Sequence, residues 1–216
     1  MTIKPHHDPT HLYFVTATVL GWRHLFVQPT YAQIVLQSLD WHRRNGRWSL
    51  FVFVVMPNHT HFVICPLGEQ TISTVLQSFG SYTAHAILDQ LRQDGRTDLL
   101  AFFAQRQDRD ASKEHQIWLP IEAKNTYSVE FLRQKVEYTH NNPVAKHWRL
   151  VDNRADYSYS SACFYDRGES PVIAVDDEGV DVMHPICSQS PSRGRVYNDR
   201  SPVGRFSAPR RPRDGG

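Results

Sequence analysis

The chain has 216 residues, a formal net charge of +2 at pH 7, 40% hydrophobic and 12% aromatic content. That supplies the core of one globular domain, and no apolar run approaches the length of a membrane span, so a membrane-embedded function is excluded and a soluble protein is expected. Charge is uneven: residues 188–216 hold seven arginines against two aspartates, a net +5 that leaves −3 for the remainder. This Ser-, Pro-, Gly- and Arg-rich segment is predicted to be a disordered C-terminal tail, either a variable end or an electrostatic tether for nucleic-acid phosphates. Three cysteines (Cys65, Cys163 and Cys187) show no metal-type spacing, and the N-terminus lacks the order of a signal peptide, so a reducing cytoplasm is the expected setting.

In chain order, "HLYFVTATV" (11–19) is β-branched and aromatic and predicts a first strand. "TYAQIVLQSLDWHRRNG" (30–46) follows Pro29 and spaces Ile34, Val35, Leu39 and either Trp41 or His42 as an amphipathic helix. "WSLFVFVVM" (48–56) and "HTHFVICP" (59–66) flank Pro57-Asn58, a turn short enough to force an antiparallel hairpin. A second helix is predicted over 72–92 despite Gly80, and two further strands over 99–105 and 115–121. A third helix begins at Thr126 or Ser128, either able to cap it, and stops at Pro143. Residues 172–176, "VIAVD", read as a short added strand. The order β, α, β, β, α, β and helix predicts an α+β, ferredoxin-like split βαβ antiparallel sheet with helices on one face.

Chemistry concentrates in two places. Along 59–65, alternation puts His59 and His61 on one face with Val63 and Cys65, where two imidazoles can lean onto one divalent ion. Taken alone, such a pair more often means two half-exposed histidines on a sheet surface. In the third helix, Val129, Leu132 and Val136 form the apolar stripe, and Phe131, Lys135, Tyr138 and Asn142 follow a ridge placed on the opposite side. Tyr138 and Asn142 therefore point the same way. An amide oxygen suits a hard cation such as Mg²⁺ or Mn²⁺, and a phenol beside such an ion can act as a nucleophile. Taken singly, each is equally at home as a surface tyrosine and a helix-terminal asparagine.

Three segments together, "VVMPNHTHFVI", "YTHNNPVAKHWRLV" and "DYSYSSACFY", resemble the HUH single-tyrosine transposases, in particular the REP-associated tyrosine transposases related to small insertion-sequence transposases. The resemblance spans residues 8–166 as the transposase domain, leaving 167–187 as a short extension and 188–216 as the tail. It implies His59 and His61 as metal ligands and catalytic groups, Asn142 as the third ligand, Tyr138 as the nucleophile and Mg²⁺ or Mn²⁺ as the ion. Lys135, one turn before Tyr138, is a candidate auxiliary group or a free surface lysine. The implied reaction is attack of the phenolate on single-stranded DNA beside a hairpin of palindromic repeats, giving a 5′-phosphotyrosine and a free 3′-hydroxyl. A cytoplasmic, nucleoid-associated bacterial protein and a homodimer are also implied, and the helix of Tyr138 is a candidate for docking onto a second subunit's histidines. The chain departs from the family's pattern at "IWLPIEAKNTY", with Trp118-Leu119-Pro120 where relatives carry a Trp-Gln pair.

Arg23, Arg43 and Arg44, interleaved with Trp22, Trp41 and Trp48, are candidate DNA contacts of the stacking-plus-phosphate kind. Tryptophans are more often core. Two other functions compete with the enzyme. One is a non-catalytic nucleic-acid-binding module, although the sheet carries histidines where an RNA-recognition sheet would carry aromatics. The other is a metal hydrolase using activated water, with Tyr138 incidental.

Overall fold

The computed structural model describes residues 12–104 and 115–176. The tail at 188–216 and most of the 167–187 extension lie outside them. Four strands, β1 (Tyr13–Thr18), β2 (Trp48–Met56), β3 (His59–Pro66) and β4 (Glu122–Asn125), form one antiparallel sheet in the order β2-β3-β1-β4. Helices α1 (Pro29–Arg44) and α2 (Ile72–Gln93) make the crossovers of a ferredoxin-like split βαβ fold. Among the described residues no helix is long and apolar enough to cross a membrane.

Burial explains the arrangement. Tyr13, Val15 and Ala17 of β1 alternate onto the face where Phe62 and Ile64 of β3 also point, and α1 and α2 close over them with Val35, Leu39, Phe79 and Ile87. Trp48, Phe62 and Phe79 are fully buried at the centre, with ring centroids 5.3–6.1 Å apart. His42, rather than Trp41, completes the buried stripe of α1: it stacks on Trp48 at 4.4 Å, whereas Trp41 stays exposed. Gly80 is tolerated in α2 because Ile121 approaches so closely that a Cβ there would meet its Cδ1 at 2.9 Å.

Two sequence expectations fail between α2 and the third predicted helix. Of the strand expected over 99–105, the described residues 99–104 are helical instead, within α3 (Thr97–Ala104) with Phe103 buried, because a short apolar run carries no periodicity that separates strand from helix. The strand expected over 115–121 is displaced to β4. Leu119 N donates to Thr18 O and Val19 bridges Trp118, but Pro120 has no N–H to continue the ladder, and regular pairing resumes at Glu122 with a one-residue shift. Trp118 itself is core, its Nε1 donating to Thr83 Oγ1 at 3.0 Å.

The opposite face of the sheet is covered by α4 (Val129–Asn141) and α5 (Ala162–Arg167), through Leu132, Val136 and Tyr165 packed on Phe14, Val52 and Val63. Ser128, not Thr126, caps α4, accepting from Phe131 N. A bulge between Leu50 and Val52 changes the facing of β2, so Phe51 and Val52 both join this second core.

The segment "DYSYSSACFY" covers the free edge of β2. Val55 N donates to Tyr159 O, Ser161 N to Phe53 O, and the Tyr157 and Tyr165 hydroxyls to Val55 O and Phe51 O. Residues 172–176 do not form the expected strand. Asp176 instead exchanges hydrogen bonds with Leu50, its N donating to Leu50 O and its carboxylate accepting from Leu50 N. The same segment holds α4: His140, fully buried, meets Ser161 Oγ at 2.9 Å, and Arg154 pairs with both Glu137 and Asp166. These anchors fix the rotation of α4 over the sheet and hence the position of Tyr138.

Candidate nucleic-acid processing site

At the N-terminal end of β3, His59 and His61 stand on the α4 face of the sheet, with ring centroids 4.7 Å apart. They are not half-exposed surface residues, for α4 and the chain after it leave them 7% and 4% exposed. The Pro57-Asn58 turn that aims them is pinned from both sides. Phe26 N donates to Pro57 O and Val19 N to Asn58 O.

Hydrogen bonds fix which ring atoms remain available. Asn58 Nδ2 donates to the Trp22 carbonyl at 3.3 Å, which orients its amide and turns Oδ1 toward His59 Nδ1, 2.7 Å away. His59 Nδ1 is therefore the protonated nitrogen, and Nε2 carries the lone pair. His61 Nδ1 lies 3.0 Å from Thr16 Oγ1, and the ring also bonds the backbone of Val15. Nδ1 of both rings is thus held from the protein side, as in histidines that present Nε2 to a metal.

Burial pushes both rings toward neutrality. His59 falls to about 4, mainly through desolvation, partly offset by a side-chain hydrogen bond to Asn142. His61 falls to about 3 through desolvation and the proximity of His59. Neutral imidazoles are the protonation state a metal needs. His42 is likewise lowered by burial, and His140 is lowered to about 3.

The signs give an acid-stability prediction. Each of these histidines binds its proton more weakly folded than unfolded, so stability is full above the unfolded value near 6.5 and is lost as pH falls toward the folded values. By pH 5, His59, His61 and His140 should each remove about 2 kcal/mol. Urea unfolding of the metal-free protein at pH 7.5 and pH 5 should show a steep loss, and equal midpoints would contradict these neutral, buried rings.

Asn142, 6% exposed, follows α4 and reaches His59. Its Nδ2 donates to the Tyr138 carbonyl at 3.2 Å, and its side chain hydrogen-bonds His59. Two imidazole nitrogens and one amide oxygen make a donor set that suits a divalent ion with open positions. Among the described residues no group of three His, Cys, Asp or Glu is placed to hold a metal ion.

Tyr138 joins the histidines within one chain. Its ring is 5.1 Å from that of His61 and 6.2 Å from Phe14, both edge-on, and it is 50% exposed. The ridge of Lys135, Tyr138 and Asn142 is not on the far side of α4, as its separation from the apolar stripe implied. It lies on the flank, about 100° from Leu132 and Val136, and that flank rests over β1 and β3. Lys135 sits with its Nζ 5.0 Å from the Phe14 ring centre and 5.6 Å from that of Tyr138. Exchange of α4 with a second subunit is not needed to build the site.

The three candidate arginines are not brought here. Arg43 and Arg44, at the end of α1 on the other side of the sheet, both pair with Asp40, and Arg43 also pairs with Asp176. Arg23 lies over the Phe102 ring at 4.2 Å. Sequence reasoning missed Asn58, Thr16 and Trp148, whose ring is 6.0 Å from that of His59. Asn58 had a signal in its adjacency to His59. Thr16 and Trp148 reach the histidines only through the fold.

No family model matches the chain, and no curated protein matches it. Among solved structures the chain is similar to a REP-associated tyrosine transposase bound to a REP hairpin, at 18% identity and a TM-score of 0.55, over 83% of this chain and 94% of that one. At this identity the likeness is one of fold.

Proposed function

We propose that this chain is a metal-dependent single-stranded DNA endonuclease and strand transferase of the transposase kind, with Tyr138 as its nucleophile. The observation that carries the reading is the half-exposed Tyr138 phenol set against the buried His61 ring, 5.1 Å between centroids, in one chain. A buried pair of neutral histidines beside an exposed hydroxyl is the pattern of an ion site next to a nucleophile. The transposase of similar fold, bound to a REP hairpin, supports hairpin-forming palindromic repeats as the DNA. DNA as substrate would put its work at the bacterial nucleoid, in the cytoplasm.

Mg²⁺ or Mn²⁺ held by His59, His61 and Asn142 would neutralise charge on the scissile phosphate. Tyr138 Oη attacks phosphorus, an Oη–P bond forms, and the bond from phosphorus to the 3′ oxygen breaks. The phenolic proton passes to solvent, and the departing oxygen takes up a proton as a 3′-hydroxyl. The 5′-phosphotyrosine keeps a phosphodiester, so a 3′-hydroxyl can reverse the step and join a different strand. Lys135 places positive charge beside the phenol while it loses its proton.

A binding-only module that stacks bases on its sheet is disfavoured, because α4 covers the face on which Phe14, His59 and His61 lie. The direct test uses end-labelled single-stranded oligonucleotides carrying palindromic repeats, with Mg²⁺ or Mn²⁺, on denaturing gels. A DNA-linked protein band together with a free 3′ end is expected. Cleavage with no linked protein would indicate activated water instead.

A homodimer, in this reading, carries two complete sites. Mixing His59→Ala with Tyr138→Phe subunits should therefore restore no nicking. Recovery to a substantial fraction of wild-type activity would show that α4 reaches a partner's histidines.

A further inference from the structure

Trp22 and Arg149 are the two non-glycine residues among those described whose backbone is left-handed, at φ 56° and 44°. Such conformations are unfavourable for bulky side chains and persist where the surroundings enforce them, often beside functional sites. Both adjoin the histidine pair. The Trp22 carbonyl holds Asn58, which holds His59, and Arg149 follows Trp148, whose ring packs on His59. Trp22 is 61% exposed although it is among the largest apolar side chains of the protein.

Trp148 is the centre of an aromatic group assembled from distant parts of the chain. His24 lies 5.5 Å from its ring, His147 5.7 Å and His59 6.0 Å, with interplanar angles of 47°, 50° and 46°. None of the three lies parallel to the indole, and Trp148 stays partly exposed. Exposed Arg23, Lys146 and Arg149 border the group in sequence. A partly open indole edged by imidazoles, with cations adjacent to it in sequence, has the composition of a platform for an unstacked base.

We propose that Trp148, with Trp22 at its rim, stacks a nucleobase flanking the scissile phosphate, so that the substrate strand is gripped by a base as well as by its backbone. This rests on the nuclease reading for the position of that phosphate, but the contact is a binding event and is measurable without cleavage. The grip is tolerant of sequence, since every base presents a flat face. It sets which stretch of strand lies over Tyr138.

The test compares a fluorescent oligo(dT) 12-mer with a 12-mer of abasic tetrahydrofuran residues of equal charge, by anisotropy, against the full-length protein and its Trp148→Ala, Trp148→Phe and Trp22→Ala variants. The wild type should bind oligo(dT) about tenfold tighter than the abasic strand. In Trp148→Ala that ratio should collapse toward one while abasic binding is unchanged, Trp148→Phe should keep most of it, and Trp22→Ala should reduce it. If Trp148 only supports His59, its truncation weakens both strands alike, and the proposal fails. Equal wild-type affinity for both strands also overturns it, with the nuclease reading intact. Absence of binding to either strand also overturns it, the nuclease reading being decided separately by the palindromic oligonucleotides, and thermal melts of each variant separate loss of fold from loss of stacking.

Discussion

Tyr138→Phe is expected to abolish the DNA-linked protein band and to lower single-strand nicking by at least ~10³-fold, as removal of a catalytic nucleophile does. The substitution deletes one hydroxyl from a half-exposed ring and leaves the ring's contacts with His61 and Phe14 in place. Its effect on stability should stay within about 0.5 kcal/mol, the range of surface changes. That separation makes the variant informative: a folded protein with unchanged oligonucleotide affinity and no adduct assigns the chemistry to Oη. Retention of nicking at a comparable rate would move the nucleophile to water and leave Tyr138 a packing residue.

The second large effect falls on the histidines. His61→Ala removes a buried Nε2 while Thr16 and Val15 lose the partner that orients it. Mn²⁺ affinity, measured by calorimetry, and metal-dependent nicking should both fall by at least ~10²-fold, since even the outer partners of metal ligands are worth ten- to a hundredfold. Oligonucleotide affinity measured without metal should change little, because the ring is only 4% exposed. Unchanged Mn²⁺ binding in this variant would remove His61 from the ligand set.

Much of this site was legible in the chain because its parts obey short-range rules. Alternation put His59 and His61 on one face, and helical spacing put Tyr138 one turn before Asn142; neither inference needs tertiary knowledge. The two motifs meet because His140 and Arg154 clamp α4 over β1 and β3, contacts that span 12 to 21 residues and have no local signature. The same limit explains the error in aiming Tyr138: a helical wheel gives angles within α4, whereas the height at which its flank clears the sheet depends on Phe14 and Val63. Residues 99–104 were misassigned because "LLAFFA" is apolar at every period, and β4 was misplaced because one proline shifts a ladder without changing its composition. Asp176 shows a third kind of loss, in which a sequence of strand character serves the β2 edge through one residue, its N–H and its carboxylate, instead of a ladder.

Buried neutral histidines, an oriented Asn58, and Asn142 hydrogen-bonded to His59 form one connected set of contacts. In the proposed reading, the exposed Tyr138 beside them faces the scissile phosphate. The most direct measurement is to trap the reaction with a single-stranded palindromic oligonucleotide and Mn²⁺, digest the linked protein, and locate the nucleotide by mass spectrometry. The account predicts a 5′-phosphate on the Tyr138 peptide of α4. A nucleotide on any other residue, or strand cleavage that leaves the protein unmodified, would contradict it.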